Sequence, residues 1–314
     1  MARHSTAMQN AQPVALEHCP SYQAPDLEAK IFNVLEHSGL RVRTGQRVLV
    51  KPNLLMPRPL ACTTPAVTVA ACTWLLEHGA RVNVGDSPGF GRAEAVAQKI
   101  GLTEALRPLG LSVTGLNRPV AVRLPLQQGQ KTSFMVARQA MESDLILSIP
   151  RVKAHSQMRL TLAVKNCFGC VSSLRKALIH AREGRDPDYF ADCLAALWAA
   201  LPPVAALADG ITAMHITGPS RGQPFALGLL GASSHAAALD ASLCAVLGLP
   251  PDGTPLGAAL LRRKALGHII YPLHRPEDFD ASGFQLPQKL VHTSFHPARF
   301  LQSCLRRLWA ACKS

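Results

Sequence analysis

Hydrophobic and polar positions along the chain fall into two periods, and the switches between them mark the predicted elements. "QRVLVKPN" (46–53) is a short β-rich run that stops at Pro52, and "TPAVTVAACTWLLEHGA" (64–80) has helical spacing with Gly79 as its stop. "RVNVGDSPG" (81–89) reads as a second strand ending in a turn, followed by a helical region over 91–110. Such a β-α-β-α opening predicts an α/β fold with a mostly parallel sheet and helices on both faces, a Rossmann-like three-layer arrangement. "LSVTGL", "VAVRLP" and "SFMVAR" predict a small inserted β-meander, and "SDLILSIP" a buried strand. "RVKAHSQMRLTLAVKNCFGC" (151–170) then reads as a helix. "PVAALADGI" and "FALGLLGAS" predict two more strands, and "HAAALDASLCAVLGL" a helix stopped by Gly248, with a serine as its plausible cap.

Up to residue 290 the pattern suits one α/β domain, and 291–314 a basic amphipathic C-terminal helix. In "FLQSCLRRLWAACKS" the residues Phe300, Leu301, Cys304, Leu305, Leu308, Trp309 and Cys312 share one stripe, with Arg306, Arg307 and Lys313 off it. That stripe suits packing on its own domain, a partner, or a membrane surface.

Composition narrows the partners. Lys and Arg outnumber Asp and Glu by 33 to 20, a formal charge of +13, which favours anionic ligands. With aromatics at only 5%, the stacking platforms of single-stranded nucleic acid binders are hard to assemble, so nucleic acid is an unlikely partner. No signal-peptide core and no uninterrupted apolar run of about 18 residues occurs, which predicts a cytoplasmic chain without a transmembrane segment. Nine cysteines, an odd number without regular spacing, are expected as reduced thiols.

Ligands of open α/β sheets bind beyond the carboxyl ends of the strands, where loops converge. Polar residues gather at four such ends: Lys51 and Asn53, Asp86 and Ser87, Lys153 and His155, and Asp209 with Gly210. Each has a bland alternative. Lys51 can reach solvent, "GDSPG" can be a turn, and Asp86 or Asp209 can cap backbone N–H groups. An imidazole at His155, between Lys153 and Arg159, would have its charged form disfavoured and could act as a base or metal ligand. Lys165, beside Asn166, is the one charge near an apolar stretch and needs an anion, either Asp86, Asp209 or a ligand. Cys167 and Cys170 form a C-x-x-C, which can be a redox pair, part of a metal or iron–sulfur site, or purely structural. "MHITGPSRGQP" could wrap an anion through backbone N–H groups but lacks the nucleotide-loop pattern.

The succession "VLVKPNLL", "DLILSIPRVKAHSQMRLTLAVKNCFGCV", "LRKALIHAREG", "ALADGITAMHITGPSRGQP" and "LGLLGASSHAAALDASLCAVLGL" resembles the domain of unknown function 362 family. The resemblance runs from about residue 47 to 249 and rests most on K-x-H followed by K-N-x-F-G. Some members look like fusions to [4Fe-4S] ferredoxin segments. This implies a link to electron transfer, with a bound cluster or a ferredoxin-type partner as candidates, while a divalent metal would be held by Asp86 or Asp209. No C-x-x-C-x-x-C run follows residue 250 here. Two positions that are commonly acidic in the family are His215 and His235 in this chain. The matching residues are Lys51, Asn53, Asp86, Lys153, His155, Lys165, Asn166, Cys170, Asp209, Gly210 and Asp240.

These readings combine into an expectation. The chain is a soluble enzyme, an oxidoreductase or a transferase, acting on a phosphate- or carboxylate-bearing small molecule. His155, Lys165, Asp86 and Asp209 would be catalytic, and Lys51, Asn53, Ser87, Lys153, Asn166 and Gly210 would bind substrate. Cys167 and Cys170 would hold metal if any is bound. The alternatives are an iron–sulfur accessory protein and a non-catalytic binding protein.

Overall fold

A computed structural model describes residues 11–89, 91–172, 176, 179 and 186–291. The chain opens with β1 (Ala11–Pro13), β2 (Ala15–His18) and α1 (Leu27–His37), then alternates β3 (Arg47–Pro52), α2 (Pro65–Glu77), β4 (Arg81–Asp86), α3 (Ala93–Lys99), α4 (Leu102–Leu106) and β5 (Val113–Gly115). Pro65 starts α2 because its fixed φ suits the first turn and its missing N–H would have no helical partner. Gly79, at φ +75°, reverses the chain after it, a conformation that glycine adopts without strain. Then come β6 (Pro119–Pro125), β7 (Lys131–Ala137), α5 (Arg138–Met141), β8 (Leu145–Ile149), β9 (Arg151–His155), β10 (Arg159–Thr161) and α6 (Ala163–Asn166). The described chain closes with α7 (Pro187–Ala200), β11 (Val204–His215), β12 (Gln223–Ser233), α8 (Ala236–Val246), α9 (Pro255–Arg262) and β13 (His268–Ile270).

Nine strands form one mixed sheet. β5, β4, β3 and β8 pair in parallel in that order, and β8 continues in parallel to β11. β12 pairs antiparallel with β11 and carries β2 on its far edge. Alternate strand residues serve opposite faces. Val48, Val50, Leu147 and Leu207 join α1 to α4 in one core cluster, while Leu49, Ile146, Ala206 and Ala208 join α6 to α9 in another. Helices therefore cover both faces.

The feature that positions the site is a fork. β3 stays paired with β8 as far as Pro52 and Ile149. Pro150 has no N–H to continue the ladder, and past it β9 follows β11 and takes β10 as its other, antiparallel neighbour. The end of β3 and the start of β9 thus diverge, leaving a gap in the middle of the sheet rather than at a free edge.

Three predicted elements differ. Residues 151–170 are not one helix but β9, a turn, β10, the single turn of α6 and a 3₁₀ turn over Cys167–Cys170. The alternation of Arg151, Lys153 and His155 with Val152 and Ala154 is the period of a strand. The inserted meander is a two-stranded hairpin, β6 with β7, because β5 belongs to the main sheet. Asp209 does not end a strand, since β11 runs on to His215. The predicted C-terminal helix lies outside the described residues. Among those residues, no helix is long and apolar enough to cross a membrane.

Candidate functional site

The fork opens into a cavity of about 290 Å³. β3 and the loop after it supply Lys51, Asn53, Leu54 and Leu55; the end of β4 and the loop after it supply Asp86, Ser87, Pro88 and Gly89; β9 supplies Lys153 and His155. Thr161 of β10, Lys165 and Asn166 of α6, Phe168, Gly169, Lys176, and Pro219 and Ser220 from the β11–β12 loop complete the wall. The residues expected at three of the four strand ends therefore meet in one place. Asp209 and Gly210 do not line it.

The floor is a buried polar chain. Lys51 Nζ lies 2.8 Å from Asp86 Oδ1 and donates to Asn166 Oδ1 at 3.1 Å. Asp86 also accepts from the backbone N–H groups of Leu54, at 2.7 Å, and Ser87, at 2.8 Å, so its role is to fix the turn and the lysine together. Asn53 donates to Asn166 Oδ1 at 2.8 Å and accepts from Lys153 Nζ at 2.6 Å, and Lys153 donates further to Ala61 O at 2.7 Å. Gly169 presses on the ion pair: a β-carbon there would overlap Lys51 Nζ and Asp86 Oδ1. Glycine fits where the backbone must approach this closely.

Above this floor the groups are less satisfied. Lys165 is only 8% exposed, and its ammonium has no hydrogen bond or ion pair to a described residue. The hydroxyls of Ser87 and Thr161 are likewise buried without a partner among the described residues. Burial holds the Lys165 ammonium down to about 8. Lys153 falls to about 7, first through burial, with the nearby charges of Lys165 and Arg151 adding to it. His155 Nδ1 accepts from the N–H groups of Gln157, at 3.1 Å, and Met158, at 3.3 Å, which leaves the proton of the neutral ring on Nε2. Lys176 donates to Ser87 O and, at 3.4 Å, to Gly169 O.

Asp209 belongs to a separate buried network. Its Oδ2 lies 3.2 Å from Arg151 Nη2 and accepts from the N–H of Thr64 at 2.8 Å, while Oδ1 accepts from the Tyr22 hydroxyl at 2.6 Å. Arg151 also donates to Cys62 O, Thr212 O, Thr64 Oγ1 and the Tyr22 hydroxyl. Asp209 thus ties β9 to β11, to the start of α2 and to the chain before α1. Asp240 likewise holds backbone, accepting from Ala163 N at 2.7 Å and Val164 N at 3.0 Å, with burial pushing its carboxyl up to about 7.

Cys167 and Cys170 are fully buried and do not line the cavity. Cys167 Sγ donates to Ala163 O at 3.4 Å, and burial raises both thiols, Cys170 to about 11. Among the described residues, no group of three or more His, Cys, Asp or Glu is placed to hold a metal ion, so the pair has no further ligand there. His215 packs on Phe225 and Phe284 and accepts from Gln285 N–H at 3.4 Å, and His235 packs edge-on to Trp198. His235, not a serine, occupies the N-cap of α8, without a side-chain cap bond. Neither histidine lines the cavity.

Sequence reasoning gave no role to Thr161, Gly169 and Lys176. Thr161 has a signal in hindsight, since it stands opposite Lys153 in the β9–β10 register; Gly169 has one as the small residue between two cysteines. Lys176 has none, since a lysine in a helical run is usually solvated.

A family model described as "Domain of unknown function (DUF362)" matches residues 48–245. A thylakoid-associated protein of Synechocystis sp. is 32% identical over 305 residues, covering 94% of either chain. Among solved structures, the lactate racemase apoprotein of Thermoanaerobacterium thermosaccharolyticum aligns with a TM-score of 0.47 at 14% identity, over 74% of this chain and 56% of that one. A Thermotoga maritima protein aligns at 0.41 and 12% identity, over 66% of this chain and 54% of its own. The chain spans little more than half the length of those two solved chains, and likeness of that order says nothing of chemistry.

Proposed function

The chain belongs to the domain of unknown function 362 family, and from that premise we propose that it is an enzyme acting on a small anionic molecule held in the fork of its sheet. The observation that carries the reading is an imbalance of charge. Lys51, Lys153 and Lys165 line the cavity with Asp86 as the one carboxylate among the described residues of its wall, and Lys51 already holds that carboxylate. Buried cations without counter-charges are expensive unless a ligand supplies them. A carboxylate or phosphate would neutralise Lys165 and take hydrogen bonds from Ser87 and Thr161. His155, with its proton on Nε2, is the general acid or base of this site. Asp86, Asn53 and Asn166 are positioning residues for Lys51 and Lys153, and Asp209 positions β9 through Arg151. A cavity of about 290 Å³ suits a small metabolite.

The test is thermal stability across a panel of small carboxylates and inorganic phosphate. A ligand at 100 times its Kd should stabilise the protein by about 2.7 kcal/mol, and the response should disappear in Lys165→Met. A panel in which no anion shifts the wild type, or in which Lys165→Met responds equally, would sink the proposal. The relative's thylakoid association and this chain's charge of +13 favour a second reading, of location only: contact with an acidic membrane surface. Sedimentation with anionic but not neutral vesicles is its expected result.

A further inference from the structure

We infer that Lys165 is a nucleophilic amine that forms an imine with the carbonyl carbon of a 2-oxo carboxylate. The inference rests on the anion-binding reading above and assigns its substrate class.

The four cavity lysines differ in what their nitrogens already do. Lys51 is paired with Asp86 and bonded to Asn166; Lys153 donates to Asn53 and Ala61; Lys176 donates to the carbonyls of Ser87 and Gly169. Only Lys165 has a nitrogen uncommitted to any described residue. Its surroundings also favour the neutral amine, because it is buried without a carboxylate partner. A desolvated lysine whose nitrogen faces a cavity is an arrangement that frees a lone pair near neutral pH.

The same wall defines what the amine can attack. A carbonyl carbon placed at Lys165 needs its negative charge close by, because the surplus cations and the two orphan hydroxyls of Ser87 and Thr161 are within the same small cavity. A carboxylate on the adjacent carbon meets that demand. Lys165 first loses a proton to solvent. Its lone pair then forms a C–N bond to C2, and the carbonyl oxygen takes one proton from that nitrogen and one from solvent and leaves as water as the C=N bond forms. The resulting protonated imine keeps one positive charge beside the carboxylate and draws electron pairs from bonds to the neighbouring carbons, so the reaction class is bond breaking next to a carbonyl.

The experiment incubates the full chain with pyruvate or glyoxylate and borohydride, whose hydride reduces the imine to a stable secondary amine, and locates the label by peptide mass mapping. Label concentrated on Lys165, suppressed by the corresponding 2-hydroxy acid and absent in Lys165→Arg, is the expected result. Arginine keeps the charge and cannot form the adduct, so Lys165→Arg should still be stabilised by carboxylates while losing the label. Carboxylate stabilisation of the wild type without labelling, or label spread evenly over surface lysines, overturns the imine and leaves the anion site standing. Absence of both labelling and any anion-induced stabilisation overturns the two together.

Discussion

Two buried cationic networks begin two residues apart on β9, and they have opposite character. Arg151 faces Asp209, and its donors end on Tyr22, Cys62, Thr64 and Thr212. Lys153 faces a chain of amides that leads to Lys51, while Lys165 beside it faces an open cavity. The first network is neutral and complete; the second, among the described residues, carries more cations than anions and leaves the Ser87 and Thr161 hydroxyls without partners. Burial alone does not distinguish a strut from a site. Compensation does, because a protein can hold an unpaired buried charge only at the expense of its own stability.

The largest effect that would test this contrast is in the complete network. Asp209→Ala should lower stability by about 3–5 kcal/mol, because it strands a buried guanidinium, as read by urea denaturation. A loss under about 1 kcal/mol would show that the network is not the strut its bonding describes. Lys165→Met should do the reverse. An ammonium held near 8 instead of its ordinary 10.5 destabilises the ligand-free fold by roughly 3 kcal/mol, so the variant should be the more stable protein. The sign with pH follows from linkage. The penalty is full below the folded-state value of about 8, where the group is charged in both states, and it fades as pH rises from about 8 to 10.5. Wild-type and variant denaturation midpoints should therefore converge above pH 10, and a gap independent of pH would break the comparison.

Gly169→Ala comes next, at about 1–3 kcal/mol of destabilisation, since its new methyl overlaps the Lys51–Asp86 pair. The smallest effect is the sharpest. Thr161→Val and Ser87→Ala remove hydroxyls that have no partner among the described residues, so each should change stability by about 1 kcal/mol or less. Both should nevertheless weaken anion-induced stabilisation. Unchanged anion affinity in both variants would remove the hydroxyls from the site.

The sequence was legible wherever burial and hydrophobicity agree. β3, β4, β8 and β12, with α2 and α8 between or beside them, follow from runs such as "VLV", "LIL" and "LGLLGA". It misled where charged residues are buried. Arg151, Lys153 and His155 all sit inside the protein, so the polar half of a strand's alternation looked like the outer face of a helix. The run "PVAALADGI" predicts Asp209 at a strand end, whereas it lies mid-strand; its neutralising partner, Arg151, is opposite it in register but 58 residues earlier in the chain. The convergence of Lys51, Asp86, Lys153 and His155 was legible from strand-end logic, and Lys165 as the one charge beside an apolar stretch. What that logic could not supply is which cation lacks a partner, because pairing depends on the fork, and the fork depends on where Pro150 falls relative to β11.

That dependence has a consequence for how the protein is made. During synthesis from the N-terminus, β3, β4 and β8 can assemble first, but the far edge of β8 remains open until β11 arrives more than fifty residues later. The sequence "LILSI" then presents unpaired N–H and C=O groups along a largely apolar margin, the kind of strand edge that recruits other chains. β11 closes that margin along β8 and β9 alike. A nascent chain stalled before residue 204 should therefore be adhesive and depend on chaperones, and aggregation should subside as β11 leaves the ribosome and seals the sheet.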